Sequence, residues 1–442
     1  MKAAGPAPVP RRTVLRWGGR AALAALAAPL LASCVREPEV EPPAPLPDRA
    51  AWDALDQTVR GWWDGDQKDA LNASPEGTLL YLPYPYLTPG GSEAAFNEMY
   101  GWDTHFINLG LLAHGRLDLV QNHLLNHAYM VETYGKVLNG NRTYYLGRSQ
   151  PPLLADSVRL FLRAGGDAGV VRQVYPLLER EYRGYWQAEH HDTPVGLATN
   201  RDLIDSPLRP ALAAEAETGL DFTAIYGGDV RACVPLLTNC ALVRYADAVA
   251  EIADALGDVG GAETWRAEAE RRAGRVRERC WDAEANFFLE YNHVRGERLP
   301  YLSVCAYWAL WAGVATPAQA AALASQLHLF EGPHGLSVTD KAYPSPHPEY
   351  ENLQWAYPLG WPPLHLIAVE GLDRYGFWEE AGRVSRRFVG MMLAQYAETG
   401  KLWEKYNVVT GGLEFPVERY PTVPFHGWSS AAAVVLGRRA FA

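Results

Sequence analysis

Three acidic residues stand in a different setting from the other carboxylates of this chain. Asp103 lies in Tyr100-Gly101-Trp102-Asp103, Asp221 in Thr218-Gly219-Leu220-Asp221-Phe222, and Glu404 in Trp403-Glu404-Lys405-Tyr406. Glycine and aromatic neighbours suit a loop-walled cleft, whereas Glu251, Glu268, Glu270 and Glu278 sit among helix formers and read as solvated helix faces. Hydrolysis of a glycosidic bond needs one acid to protonate the leaving oxygen and, for inversion, a second carboxylate to activate water. A polyhydroxylated ligand also needs flat apolar faces and paired hydrogen bonds, which Trp, Asp and Arg supply. The chain carries 15 Trp, enough for such a cleft, although large helical cores use Trp as well. Each residue has a plainer alternative: Asp103 as the cap of a helix starting near Thr104, Arg148 as a structural ion-pair partner, Glu404 as an exposed acid at a helix exit. Tyr144 and Tyr145 read as wall. His190-His191-Asp192 and His334 lack ligand spacing, so neither a metal site nor a cofactor is expected.

The elements that must position these acids are helical. From residue 49 onward apolar residues recur with a period near 3.6. The amphipathic stretches are 51–63, 103–113, 117–134, 153–164, 170–190, 234–256, 262–280, 301–311, 317–327, 351–370, 378–399 and 429–441. Gly/Pro clusters such as Thr88-Pro89-Gly90-Gly91, Gly165-Gly166 and Gly411-Gly412 separate them. No strand–helix alternation is present, which excludes a doubly wound sheet and argues against a solute-binding protein. The fold class is all-α, with one domain over residues 49–442 whose long aromatic loops carry function. A loose echo links 281–292 to 398–407: each follows a helix with a turn and a short aromatic piece ending near an acid. Returning helical hairpins of that kind fit a closed ring.

The 442 residues are 48% hydrophobic and 21% charged, as in a soluble globular protein, and the net charge of −11 argues against nucleic acid as a partner. The N-terminus is built for export. Arg11-Arg12-Thr13-Val14-Leu15-Arg16 precedes an apolar run over 21–32, too short for a membrane span, and resembles a twin-arginine signal. Leu31-Ala32-Ser33-Cys34 resembles a lipoprotein lipobox, which makes residues 1–34 a signal segment ending at a lipidated Cys34. Residues 35–48 are Pro-rich and form a tether. The expected location is therefore periplasmic or cell-surface, with membrane contact through the lipid alone. The remaining cysteines, Cys233, Cys240, Cys280 and Cys305, show no Cys-x-x-Cys pair. Cys233 and Cys240 are expected on one helix, too far apart along its axis to bridge, and buried free thiols are the favoured state.

Four blocks carry a family resemblance. Pro89-Gly90-Gly91 followed by Phe96-Asn97-Glu98-Met99-Tyr100-Gly101-Trp102-Asp103 resembles the first signature of the trehalases, glycoside hydrolase family 37. Asn139-Gly140-Asn141-Arg142-Thr143-Tyr144-Tyr145-Leu146-Gly147-Arg148-Ser149-Gln150-Pro151-Pro152 is similar to the family's central segment. Gln354-Trp355-Ala356-Tyr357-Pro358-Leu359-Gly360-Trp361-Pro362-Pro363 looks like the second signature, and Glu404-Lys405-Tyr406-Asn407 with Gly411-Gly412 and Glu414 resembles the closing loop. The blocks fall in family order across residues 89–428. The resemblance implies an (α/α)6 barrel, an inverting mechanism, Asp221 as general acid and Glu404 as general base. It places Trp102, Asp103, Asn139 and Arg148 on the sugar being cleaved. The matched blocks add Phe96, Gln150, Trp355, Trp361 and Glu414, and Arg209 with Glu215 or Glu217 falls toward the leaving group.

Departures from the family bear on the substrate. Ser92-Glu93-Ala94-Ala95 stands where an Arg-Phe normally follows Pro-Gly-Gly, so a guanidinium is missing unless Arg201 or Arg209 replaces it. Ala356 and Leu359 replace an Asp and an Asn. Each lost partner of a hydroxylated ligand costs on the order of 1–3 kcal/mol. The leading expectation is an α,α-trehalase releasing two glucose molecules. A related (α/α)6-barrel α-glycosidase acting on another glucoside or mannoside is the alternative, and a non-catalytic sugar-binding lipoprotein is the third.

Overall fold

Helix boundaries follow local chemistry. Among the residues described by the computed structural model (45–70, 77–91, 96–204, 208–416 and 419–442) the chain forms thirteen α-helices. They are α1 (Arg49–Gly65), α2 (Gly101–Ala113), α3 (Leu117–Tyr134), α4 (Leu154–Arg163), α5 (Ala168–Glu181), α6 (Pro210–Glu217) and α7 (Leu236–Leu256). They continue with α8 (Val259–Cys280), α9 (Trp308–Trp311), α10 (Pro317–Ser325), α11 (Pro362–Arg374), α12 (Trp378–Thr399) and α13 (Gly427–Ala440). Asp48 accepts from the amides of Ala50 and Ala51 and starts α1. Gly135, Gly257 and Gly400 end α3, α7 and α12 in the left-handed conformation that only glycine adopts without strain. The expected signal segment and Cys34 lie outside the described residues.

Packing closes the helices into a ring. α2 packs on α4, α4 on α7, α7 on α9, α9 on α11, α11 on α13, and α13 returns to α2. Outside them α3 covers α2 and α4, α5 covers α4 and α7, α8 covers α7, and α12 covers α11 and α13, with α1 over α12 and α13. This double ring is the expected (α/α)6 toroid. The two layers differ as their positions require. Outer helix α1 buries only Trp52, Leu55, Val59 and Trp63, one stripe at helical spacing, whereas inner helix α7 is buried on all sides along most of its length. Inner helices α2 and α7 are thus enclosed on nearly all sides, polar residues included, whereas α4 keeps the amphipathic pattern expected of it.

Proline accounts for most other differences. The stretch 351–370 is helical only from Pro362, because Pro358 interrupts it and Pro362 occupies a first-turn position where no amide is needed. α6, not foreseen, starts the same way at Pro210. The stretch 301–311 divides into a 3-10 turn, Val304–Tyr307, and α9. Pro235 precedes α7, so Cys233 lies on a short strand (Cys233–Val234) paired with Tyr291–Asn292, and not on a helix with Cys240. Cys233, Cys240, Cys280 and Cys305 are all buried and free.

Candidate active site

Single β-bridges between loops bring the conspicuous acids together. Tyr100 bridges Gly140, which sets the start of α2 beside the segment of Asn139 and Arg148. Thr223 bridges Trp355, and Trp403 bridges Pro424. Leu359–Gly360 pairs antiparallel with Tyr406–Asn407 and carries Trp361 to Glu404. The result is a cavity of about 150 Å³ at the N-terminal ends of the inner helices, lined by Asp103, Asp221 and Glu404 together. That is well below the roughly 300 Å³ at which drug-sized pockets begin, a scale that suits one sugar ring better than a chain.

Its walls are aromatic. Trp355 stacks on Trp361 with centroids 3.8 Å apart, Trp428 stacks on Phe425 at 4.5 Å, and Trp102 meets Trp355 and Trp428 edgewise or tilted. Polar groups are fixed from behind. Arg148 donates from Nε to Asn139 Oδ1 (2.8 Å) and from Nη1 to Asp202 Oδ2 (2.7 Å). Gln150 Oε1 accepts from the Trp102 amide at 3.0 Å. Asp103 occupies the first turn of α2, whose cap position is Tyr100, so the capping alternative for Asp103 does not hold.

The two expected proton-transfer groups have different partners. Glu404 Oε1 accepts from the Tyr420 hydroxyl (2.9 Å) and Oε2 from Lys405 Nζ (3.2 Å). Burial raises its pKa, the Asp221 charge adds to that, and Lys405 and Tyr420 oppose it. Burial likewise raises Asp221, opposed by the Arg148 charge and a hydrogen bond from Trp355. Burial and then the Glu404 charge push Asp103 well above the ordinary carboxylate range. Three carboxyls enclosed in one small cavity cannot all ionise cheaply, which favours the protonated form of at least one of them. The turn carrying Asp221 is strained at Phe222, which has a positive φ (65°), whereas Gly219 takes its φ of 80° freely, and the Thr223 amide donates to Glu215 Oε1 at 2.9 Å.

Ten expected site residues line the cavity: Asp221, Glu404, Phe96, Trp102, Asp103, Asn139, Arg148, Gln150, Trp355 and Trp361. Three do not. Arg209 pairs with Glu349 and donates to His347 Nδ1 (3.1 Å), away from the lining. Glu217 is fully buried behind the wall, where backbone and side-chain donors surround it. Glu414 is exposed, and its backbone carbonyl accepts from Asn407. Arg201 does not supply the missing guanidinium either, since it donates to the Asn200 carbonyl and lies off the cavity. Tyr100, Tyr420, Phe425 and Trp428 line the cavity without having been singled out, as do Pro89, Ala216 and Gly219, while Tyr145 is wall as expected. The aromatic, Pro-rich run Tyr420-Pro421-Thr422-Val423-Pro424-Phe425-His426-Gly427-Trp428 was the available signal. Arg419 stacks 3.3 Å from the Phe222 ring centroid, and its charge reaches Asp221.

Known proteins resemble this chain along nearly its whole length. The family model described as Trehalase matches residues 49–209 and 214–437. A probable trehalase of Eremothecium gossypii is 31% identical over 397 residues, 76% of this chain and 53% of that protein, so the chain spans about half its length. The periplasmic trehalase of Pseudomonas aeruginosa is 31% identical over 411 residues, covering 82% of this chain and 72% of that one. Neutral trehalase Nth1 from Saccharomyces cerevisiae superposes with a TM-score of 0.69 at 26% identity, over 81% of this chain and 74% of that one. A mannosylglycerate hydrolase from Thermus thermophilus shares the fold, with a TM-score of 0.60 at 18% identity over 87% and 99% of the two chains.

Proposed function

The chain belongs to the trehalase family, and from that premise we propose that it is an exported hydrolase that cleaves α,α-trehalose to two glucose molecules with inversion. Asp221 gives its proton to the bridging oxygen as the C1–O bond breaks. Glu404 takes a proton from the water whose oxygen attacks C1, and exchange with solvent restores both groups. The observation that carries the assignment is the difference in partners: Glu404 alone has an ammonium and a hydroxyl on its two oxygens, which favour its ionised form. Of these two groups Asp221 is then the one that carries the proton to be transferred. Asp103, Arg148, Asn139 and Gln150 hold the hydroxyls of the reacting ring, and the stacked tryptophans take its apolar face.

Asp221→Asn and Glu404→Gln each lower kcat on trehalose by about 10³-fold or more with a small change in KM. Proton NMR of early product shows α- and β-glucose in equal amounts under inversion; α-glucose alone would overturn the mechanism. A product complex with the Asp221 and Glu404 carboxyls outside roughly 6.5–9.5 Å would also overturn it. A second reading, another α-glucoside or α-mannoside, is favoured by one observation: Arg209, Glu217 and Glu414 do not line the cavity, and Ala356 is apolar. Glucose release from trehalose beside glucosyl and mannosyl panels separates the two. Periplasmic relatives support export, and Cys34 as the lipidated residue is tested by mass spectrometry of the membrane-extracted protein.

A further inference from the structure

Glu217 is the last residue of α6, four positions before Asp221, and its side chain is fully buried. Every polar group around its carboxylate is a donor. Oε1 accepts from the Ser149 amide (3.0 Å) and the Tyr185 hydroxyl; Oε2 accepts from His191 Nε2 (2.9 Å), Asn200 Nδ2 (3.1 Å) and the Arg201 amide (2.8 Å). The His191 Nδ1 faces the Tyr185 carbonyl at 3.0 Å, so the ring completes both bonds only with a proton on each nitrogen. Burial by itself would raise the Glu217 pKa, but His191, Tyr185 and the Arg201 amide outweigh it and hold the group at about 2.

The two amides belong to residues flanking one ion pair. Ser149 follows Arg148 and Arg201 precedes Asp202, and Arg148 Nη1 donates to Asp202 Oδ2 at 2.7 Å. The two segments are also joined where the Leu203 amide donates to the Gly147 carbonyl at 2.9 Å, and Asp202 occupies the space a Cβ on residue 147 would need. Ala216 and Gly219, on either side of Glu217, line the cavity.

We infer that Glu217 is a positioning residue for the reaction, tying the Arg148–Asp202 pair to the segment that presents Asp221. The inference rests on the roles given above to Arg148 and Asp221. A carboxylate suits the site because all its neighbours donate to it: an amide in its place turns one acceptor into a donor and loses at least one backbone bond, from the Ser149 or the Arg201 amide, in either orientation. The guanidinium then loses its fixed direction into the cavity, while Glu404 keeps its own partners, Lys405 and Tyr420.

The test is a double-mutant cycle on trehalose with wild type, Glu217→Gln, Asp202→Asn and the double variant, each checked for folding by thermal unfolding. Glu217→Gln is expected to lower kcat/KM about 30-fold, mainly through KM, with the acidic limb of the pH–rate profile, which Glu404 sets, unmoved, and to add less than about threefold in the Asp202→Asn background. A folded Glu217→Gln protein within about threefold of wild type overturns the inference, as do effects of the two changes that multiply independently. If Glu217→Gln does not fold, Tyr185→Phe removes one donor at nearly constant volume; a fall of about threefold that vanishes in Asp202→Asn supports the inference, and no fall overturns it. Wild-type turnover of trehalose judges the functional reading separately. Should wild type turn over no glycoside, calorimetric binding of glucose reads the same cycle.

Discussion

Asp221 is half-buried and Glu404 buried, yet both carry raised pKa values, so the direction of the shift does not divide their roles; their neighbours do. Lys405 Nζ lies 3.2 Å from Glu404 and above the rings of Tyr420 and Trp361, a dry setting in which an ammonium–carboxylate contact is strong. Removing that ammonium by Lys405→Met leaves a buried carboxylate with one hydroxyl donor. The sign follows: the ionised base loses stabilisation, its pKa rises further, and the acidic limb of the kcat/KM profile moves to higher pH. A shift of about one pH unit or more is expected, together with a lower maximum rate, and a limb that moves down or stays would exclude Lys405 as the tuning group.

At the scale of elements, the segment from α6 to α7 decides where the acid points. Gly219 has φ +80°, and a Cβ there would lie 2.9 Å from the Trp102 ring. Gly219→Ala therefore imposes a left-handed conformation on an L-residue and pushes a ring of the cavity wall, two costs of about 1–2 kcal/mol each. Denaturant unfolding is expected to show a loss of about 2–4 kcal/mol, and KM to rise in the folded fraction because Trp102 is displaced. A variant with wild-type stability and KM would show that this turn tolerates the side chain. The same segment explains why α6 was hard to foresee: it is a short Ala-rich helix whose stability comes from Glu215 and Glu217 being held by other loops, and its own apolar pattern contributes little.

Across the whole molecule the inner ring is joined by charge as well as by apolar packing. Asp156 on α4 accepts from Arg159 and from Arg244 Nε (3.0 Å) of α7; Arg244 also donates to the Trp311 carbonyl of α9 (3.1 Å) and to Glu370 of α11. None of these residues lines the catalytic cavity. Asp156→Ala leaves two buried guanidiniums without their shared carboxylate, a change that costs about 3–5 kcal/mol. A fall in Tm of several degrees or more is expected, with kcat per folded molecule close to wild type. Loss of activity in folded Asp156→Ala protein would mean that the ring transmits strain to the cavity.

Read alone, the sequence determined what depends on short-range pattern: an all-α chain, most helix limits to within a few residues, and the acids that stand among glycines and aromatics and not on solvated helix faces. Three of the cavity residues, Asp103, Asp221 and Glu404, stand out by their glycine and aromatic neighbours, and the family resemblance of the surrounding blocks implied seven more. What it left open depends on contacts between distant segments. Glu217 reads like Glu215 or Glu414 along the chain, yet one is enclosed by donors from three loops, one holds the Thr223 amide and one is exposed. Arg209 reads as a ligand for sugar, and the ion pair with Glu349 holds it outside the cavity. Burial and partner choice set the charge and direction of such groups, and both are properties of the closed ring, which only the tertiary structure supplies.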